Sequence, residues 1–592
     1  MPLIVQKFGG SSVADSQKIL AAARKAIRAQ QQGNQVVMVV SAMGKNTDML
    51  VDLAGQINDH PPAREIDMLL STGEQVSVAL MAMAIDSLGH KAVSLTGGQI
   101  GIKTDSSHTK ARINSISTER MQRLLDEGNI VIACGFQGID EDLDITTLGR
   151  GGSDLTAVAL AAVLGADTCE IYTDVDGVYT TDPRALPEAR RVSKASYDEM
   201  LELASLGAGV LHSRSVEFAK KYGVPIHVRS SFSDTTGSLV VADPEVPDQP
   251  VGGAALTRNE ARVTVKGIPD RPGTSYAVFS KIAEQNVAVD MIVQNIGEDG
   301  KADISFTVLS DDLPSTTGAV GSAIDELGAG QFEVGETVAK VSVVGMGMAR
   351  QTGVTDRMFR ALADADVNIL MITTSEIKIS ALVERDQALD ALRAVHSAFE
   401  LEKVPESTQS TGDTTTRVEN SDALDVVTRL AGMEDLMIDE VALDDSQARI
   451  TISQIPDEPG VAAKTFEDIA KADIFVDMII QSFGHGGRAN LSFTVPRDEL
   501  DRAAEVATSL AEQFGCGEVT SSPQVAKLSV SGVGLRSHAG VAIRMFKALA
   551  DAAINVEMIN TSEVRVNVVV DGEHGQRGLE CLQTAFADVL LC

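Results

Sequence analysis

Only five cysteines occur in the 592 residues: Cys134, Cys169, Cys516, Cys581 and Cys592, an odd and scattered set with no Cys-x-x-Cys pair. That excludes a disulfide framework and a zinc site of paired thiolates, and leaves reduced thiols as core fillers. Basic residues are scarce beside acidic ones, 50 against 83, and the net charge of −33 repels a nucleic-acid backbone and an anionic membrane alike. Neither is an expected partner. No run of about 18 apolar residues is present. The start Met1-Pro2-Leu3-Ile4-Val5-Gln6-Lys7 lacks the regions of a signal peptide, so a cytoplasmic protein is expected. A Walker A loop is missing too: Gly44-Lys45 runs into Asn46, and Val39 stands where the first glycine belongs.

What is present is an ordinary globular balance, 44% apolar and 22% charged, in a chain long enough for about three to five domains. Up to about residue 245, short β-rich runs alternate with helical stretches, the pattern of a layered α/β fold on a mainly parallel sheet. Val36 to Val40, Ile130 to Cys134 and Cys169 to Tyr172 are the clearest strands. Three prolines and three acids in Ala242-Asp243-Pro244-Glu245-Val246-Pro247-Asp248-Gln249-Pro250 then mark a boundary. Beyond it the sequence repeats. Ile268-Pro269-Asp270-Arg271-Pro272-Gly273 returns as Ile455-Pro456-Asp457-Glu458-Pro459-Gly460, and Asp290-Met291-Ile292 as Asp477-Met478-Ile479, each 187 residues on. Each block divides into two similar halves, so four small ferredoxin-like βαββαβ units are expected. The predicted boundaries are a first domain over 1–245 and a first pair of units over 252–402, at 262–335 and 340–402. A linker over 403–438 precedes the second pair over 439–590, at 448–518 and 526–590. The polar stretch Ser407 to Thr416 reads as a flexible part of that linker, with a short helix expected over Ala423 to Met437.

Three motifs in the first domain carry chemistry. Lys7-Phe8-Gly9-Gly10-Ser11-Ser12 ends a strand and precedes a helix, where glycine N–H groups, the helix N-terminus and a lysine suit a phosphate; a plain strand-to-helix turn is the alternative. Gly149-Arg150-Gly151-Gly152-Ser153-Asp154 opens a second helix. Its arginine can clamp a carboxylate, and its aspartate can orient a lysine or a metal; an N-cap pair is the alternative. Thr173-Asp174-Val175-Asp176-Gly177-Val178-Tyr179 through Arg184 follows a strand, where ligand loops sit in open α/β sheets. It departs from a calcium loop, with Val178 at the fifth ligand position and Ala185 at the twelfth. Gly345-Met346-Gly347 and Gly532-Val533-Gly534 imitate a dinucleotide fingerprint, but Arg350 and Ser537 replace its third glycine. Met358-Phe359 and Met545-Phe546 read as core.

With Ser41-Ala42-Met43-Gly44 and Leu70-Ser71-Thr72-Gly73-Glu74, these motifs in this order resemble the aspartate kinase branch of the amino-acid kinase family, and the four later units resemble ACT domains. The resemblance implies phosphorylation of the aspartate β-carboxylate by ATP with Mg2+, the first step towards lysine, threonine and methionine. It implies Lys7 and Asp154 as catalytic. Lys7, Phe8, Gly9, Gly10, Ser41, Thr173, Asp174, Tyr179 and Arg184 would lie around the nucleotide, and Thr47, Glu74, Arg150 and Ser153 around aspartate. Feedback by lysine, threonine or both is implied at Asp270, Ser275, Gln294, Thr355, Asn368 and Ser375 in the first block. In the second block the positions are Asp457, Gln481, Asn555 and Ser562, with Ala462 and Ala542 at the other two. One position departs: Gly209 stands where many relatives have a nucleotide-contacting lysine, and Lys220 or Lys221 is the suggested substitute.

A glutamate or acetylglutamate kinase of the same fold is the alternative enzyme, and a catalytically weak amino-acid-binding regulator the alternative class. A homodimer is expected. Truncation after residue 402 is expected to leave a soluble, active enzyme with weakened feedback, because the polar linker lacks apolar anchors.

Overall fold

The computed structural model describes residues 1–207, 210–242, 249–296, 300–348, 351, 353–404, 433–482, 486–535 and 540–590. In the first domain eight strands run in the order Lys194–Ser196, Ser238–Val241, Ile226–Ser230, Thr168–Thr173, Leu3–Phe8, Gln35–Val40, Ile130–Cys134, Ala92–Leu95. Every neighbouring pair is parallel except Ile226–Ser230 with Ser238–Val241. The β-branched runs suit a sheet buried on both faces, and the pleat divides them. Val37, Val39, Val131 and Ala133 join one core with the helices Gly152–Leu164 and Ser213–Tyr222. Val36, Met38, Ile130 and Ile132 join the other with Ser16–Gln31 and Ala63–Ser87. Among the described residues Ala63–Ser87 alone is long and apolar enough to cross a membrane. It carries the buried acids Asp67 and Glu74 and half of its apolar stretch is buried in the protein, as in a core helix.

The regulatory half departs from a string of units in chain order. The long strand Gly253–Pro269 serves two units: residues 253–257 pair with 344–340 of the second, and residues 260–269 pair within the first. Met437–Asp444, which precedes the third unit, pairs instead with Val525–Val533 of the fourth. Each second unit therefore takes its first strand from ahead of its neighbour. The predicted unit boundaries at 340 and 526 leave these strands out, although the predicted pairs over 252–402 and 439–590 take in nearly all of them, because sequence similarity marks a unit's centre, not its borrowed edge. The same strands explain the dinucleotide imitation. A Cβ on Gly345 would strike the Pro250 carbonyl and one on Gly532 the Met437 carbonyl, so both glycines admit the entering strand.

The units also pair across the blocks. Met371–Thr374 of the second unit lies antiparallel to Ile479–Gln481 of the third, fusing the first three units into one ten-stranded sheet. Phe359 meets Phe466 with ring centroids 5.5 Å apart, and Phe279 of the first unit meets Phe546 of the fourth at 5.7 Å. The expectation of a loosely tethered second block is thereby corrected. Its apolar anchors lie in the units themselves, on faces that a linker's composition does not report. Residues 405–432, with most of the helix expected over Ala423 to Met437, lie outside the described residues; Met437 itself opens a strand.

Candidate active site and effector sites

The first two motifs converge at the carboxyl ends of the parallel strands, where an open α/β sheet leaves backbone groups unpaired. Lys7, in Leu3–Phe8, forms an ion pair of 2.6 Å with Asp154 in the first turn of Gly152–Leu164. The Asp154 carboxylate thus holds the ammonium at the strand end, and each charge offsets the desolvation of the other. The glycine turn closes against the next strand: Ser41 N–H donates to the Phe8 carbonyl and Gly44 N–H to the Gly10 carbonyl, while a Cβ on Gly10 would come within 2.7 Å of the Ala42 carbonyl. Phe8 is corrected to a core residue. Its ring is fully buried and stacks on Tyr172 with centroids 4.7 Å apart, so only its backbone faces the turn.

Glu74 is buried in Ala63–Ser87. Its Oε1 accepts from Ala42 N–H at 3.0 Å, while Oε2 has no hydrogen-bond partner among the described residues. Burial pushes its pKa up to about 7, against the Ala42 hydrogen bond that favours the carboxylate. A buried acceptor with an unused oxygen suits an ammonium. Arg150 is exposed and makes no ion pair with the described residues. It sits between Gly149 and Gly151, both with positive φ, and a Cβ on Gly151 would run into the His212 ring. Ser153 is buried nearby in the helix start, and Thr47 is half-buried in Asn46–Ile57.

The third motif is less preorganised. Thr173 ends its strand and donates its hydroxyl to Asp174 at 3.1 Å, and Asp174 is exposed. The Tyr179 hydroxyl donates to Asp176 at 2.5 Å. Arg184 is held by Asp182 and its side chain is 89% exposed, so a nucleotide contact requires it to leave that carboxylate. The suggested substitutes for the missing lysine are corrected: Lys220 pairs with Asp198 at 2.7 Å, and Lys221 donates to the Asp435 carbonyl at 2.9 Å. Both sit in the last turn of Ser213–Tyr222, while Gly209, where the lysine they were to replace would stand, precedes that helix in sequence. Gly209 lies outside the described residues. A further cluster, His108, Asp140 and Asp144, brings possible ligand atoms within 4.8 Å of one another. Asp67, Arg64 and the backbone N–H groups of 142 and 144 already engage it.

In the regulatory half, the predicted effector positions meet in combinations drawn from both blocks. Ser275 donates to Gln294 at 2.7 Å, Gln294 to the Val556 carbonyl at 2.6 Å, and Asn555 to Asp270 at 2.8 Å. At the other interface Asn368 donates to Asp457 at 3.0 Å and Gln481 to the Ile369 carbonyl at 3.1 Å. Asn368 and Asn555 are themselves 187 positions apart, as are Asp270 and Asp457, so one interface repeats the other with the blocks exchanged. Thr355 and Ser375 line a cavity of about 270 Å³ with Asp477, and Ser562 and Ala542 line one of about 90 Å³ with Asp290.

Comparison with known proteins accords with this arrangement. The amino acid kinase family model matches residues 2–230, and the ACT domain model matches 341–399, 451–510 and 528–586. The aspartate kinase of Stutzerimonas stutzeri (strain A1501) is 50% identical over 405 residues, 68% of this chain and 98% of that protein. The aspartokinase of Pseudomonas aeruginosa is likewise 50% identical over 406 residues, at the same coverage of each. The chain belongs to the aspartate kinase family. Among solved structures, the aspartate kinase from Synechocystis is similar over 99% of this chain and 98% of its own, with 41% identity and a TM-score of 0.52. E. coli aspartokinase III in complex with aspartate and ADP is 26% identical, covering 67% of this chain and 99% of its own, at a TM-score of 0.57. An amino acid kinase domain followed by repeated ACT domains accounts for this fold.

The raised pKa of Glu74 has a consequence for pH. Between its unfolded value near 4.5 and about 7 the folded protein holds the extra proton, so the unliganded enzyme loses stability as pH rises across that window. An ammonium needs the carboxylate. The aspartate KM is therefore expected to fall as pH rises from 6 to 8, approaching tenfold per unit only at the acid end, with the ATP KM nearly flat. Initial-rate kinetics across that range check this.

Proposed function

We propose that this chain transfers the γ-phosphoryl group of ATP to the β-carboxylate of L-aspartate at the Lys7–Asp154 site, under feedback control by lysine, threonine or both. The observation that carries the reading is the pairing of one preorganised cation with an unsatisfied acid and a free guanidinium: Lys7 held by Asp154, Glu74 Oε2 without a partner, and Arg150 unpaired among the described residues. Glu74 takes the ammonium, Arg150 the α-carboxylate, and Ser153 and Thr47 complete the pocket. The attacking side-chain carboxylate, with a reference pKa near 3.9, is already ionised at pH 7 and needs no general base. What remains is alignment and charge neutralisation. Lys7 supplies a positive charge beside the transferring group, and the glycine turn brings N–H groups to the phosphates. Magnesium fits this site as an ion held mostly by phosphate and water. The Asp174 carboxylate, which accepts only the Thr173 hydroxyl among the described residues, would be its protein ligand. When bound, the ion would neutralise phosphate charge.

ADP and aspartate were found together in E. coli aspartokinase III, and lysine with aspartate in its T-state. By that likeness lysine is the expected effector, and the cross-block contacts of Gln294, Asn368, Gln481 and Asn555, at the predicted effector positions, are where we expect it to bind. Free α-amino acid recognition by Glu74 and Arg150 disfavours an acetylated substrate. A cytoplasmic homodimer is the expected form; Met49, Leu53, Ile57, Val76, Leu80 and Met83 expose apolar surface on Asn46–Ile57 and Ala63–Ser87 that an assembly would cover.

Truncation after residue 402 now carries a different expectation for solubility. It uncovers the edge of Met371–Thr374 and the faces bearing Phe279 and Phe359. Because the blocks are repeats, a second copy's first block can cover them. The truncated chain is expected to gain a step of self-association and to lose steepness in its inhibition by lysine or threonine. Sedimentation velocity and inhibition curves test this; an unchanged mass with an unchanged curve would contradict it.

A further inference from the structure

The segment Met433-Glu434-Asp435, between the two regulatory blocks in sequence, is seated on the catalytic domain. Met433 is fully buried in that domain's core. Its carbonyl accepts from the Tyr222 hydroxyl at 3.1 Å, and the Asp435 carbonyl accepts from Lys221 Nζ at 2.9 Å. Between these anchors, Glu434 Oε2 accepts from Arg214 Nε at 3.1 Å and Nη2 at 2.5 Å, and Oε1 accepts from Ile113 N–H at 2.8 Å. The other donations of Arg214 go to the Leu148 carbonyl at 2.6 Å and the Ala111 carbonyl at 3.0 Å.

Both carbonyls border the turn that carries Arg150. Leu148 leads directly into Gly149 and Arg150. Ala111 N–H donates to the Thr147 carbonyl at 2.9 Å, tying the same arm from the other side. His212, two residues before Arg214, fills the space beside Gly151. One guanidinium thus joins the arm that leads into the substrate clamp, at Leu148, to the neighbouring segment at Ala111, and its counter-charge comes from Glu434. The side chains of Arg214 and Glu434 are only 19% and 10% exposed, so water replaces a lost partner poorly.

We propose that Glu434 is a positioning residue for aspartate: through Arg214 it fixes the turn over Leu148 to Gly152 and so the aim of Arg150. The aspartate site of the catalytic domain then depends on a residue from beyond the first regulatory block. This rests on the assignment of Arg150 to aspartate.

The test is Glu434→Gln in the full chain, which keeps the size and removes the charge, with Arg150→Ala measured alongside. A small misplacement of a clamp costs binding steeply, so the aspartate KM is expected to rise about tenfold while the ATP KM stays within about twofold. The rise in Tm that aspartate induces in the unreacted enzyme should shrink in parallel. A brace without influence on the clamp would leave the aspartate KM within about twofold of the parent, or move both KM values together, and either result overturns the proposal. If Arg150→Ala raises the aspartate KM and Glu434→Gln does not, the strap fails and the Arg150 assignment stands; if neither does, both fail. Should Glu434→Gln not fold, Glu434→Asp retracts the carboxylate by one methylene. About a threefold rise is expected there, and an unchanged aspartate KM overturns the proposal equally.

Discussion

Arg150→Ala is expected to raise the aspartate KM far more than the ATP KM. Arg150 is exposed and, among the described residues, unpaired in the unliganded protein, so its removal strands no buried acid and should leave the fold unchanged. What is lost is a charge-assisted, bidentate contact made only with substrate, together with the complement that Glu74 has across the amino acid. That is worth on the order of 2 to 4 kcal/mol, or about 30-fold to 1000-fold in kcat/KM for aspartate. Steady-state kinetics with each substrate varied in turn check it. A larger effect on ATP would move Arg150 to the nucleotide.

Lys7→Met should act on the other parameter. The charge on the transferring group shifts as the bond to the leaving phosphate breaks, so a fixed ammonium stabilises the transition state more than the bound ground state. A fall in kcat of about two to three orders of magnitude is expected, with ATP still bound. There is a structural cost as well. Asp154 loses the ion pair at 2.6 Å and stays largely buried, so some loss of stability accompanies the lost turnover. Thermal unfolding and nucleotide binding by calorimetry separate the two. Near-normal turnover in a folded variant would remove Lys7 from the chemistry.

The sheet of the first domain was readable because its signal is local. The expected strands Val36 to Val40 and Ile130 to Cys134 are apolar runs buried on both faces, and each lies within an observed strand, Gln35–Val40 and Ile130–Cys134. The 187-residue repeat was readable for the same reason, since it needs only self-comparison. Which faces of the repeats meet was not. Similarity says that Asp270 and Asp457 occupy equivalent positions, but not that Asn555 and Asn368 are their partners. Such pairing is decided by packing between Phe279 and Phe546 and between Phe359 and Phe466, far apart in sequence.

At the site, the glycine turns marked themselves by composition, whereas Phe8 did not reveal that its ring turns into the core. Lys220 and Lys221 looked available because their acceptors, Asp198 and the Asp435 carbonyl, cannot be inferred from helical spacing. Glu434 carried no signal at all. It stands beyond a polar linker and meets Arg214 across 220 residues. The packing of His212 on Gly151 likewise needed the fold.

The cross-block arrangement also links control to catalysis. Glu202, on Tyr197–Ser205 of the catalytic domain, is fully buried; it forms an ion pair of 2.9 Å with Lys378 of the second unit and accepts from Glu563 N–H of the fourth at 2.9 Å. Burial raises its pKa, with Glu563 adding to the rise and Lys378 opposing it. Both regulatory pairs therefore grip one carboxylate on the helix preceding His212. An effector that binds the two states of these interfaces unequally can shift the catalytic domain by that difference and no more.

The most direct test of the central claim is phosphoryl transfer by the purified full chain with ATP and magnesium, read as acyl phosphate trapped by hydroxylamine. Aspartate, glutamate and N-acetylglutamate are offered in parallel. Trapped product with aspartate, and little with the other two, is the predicted result. Equal or greater product with N-acetylglutamate would contradict it, because that substrate offers Glu74 no ammonium.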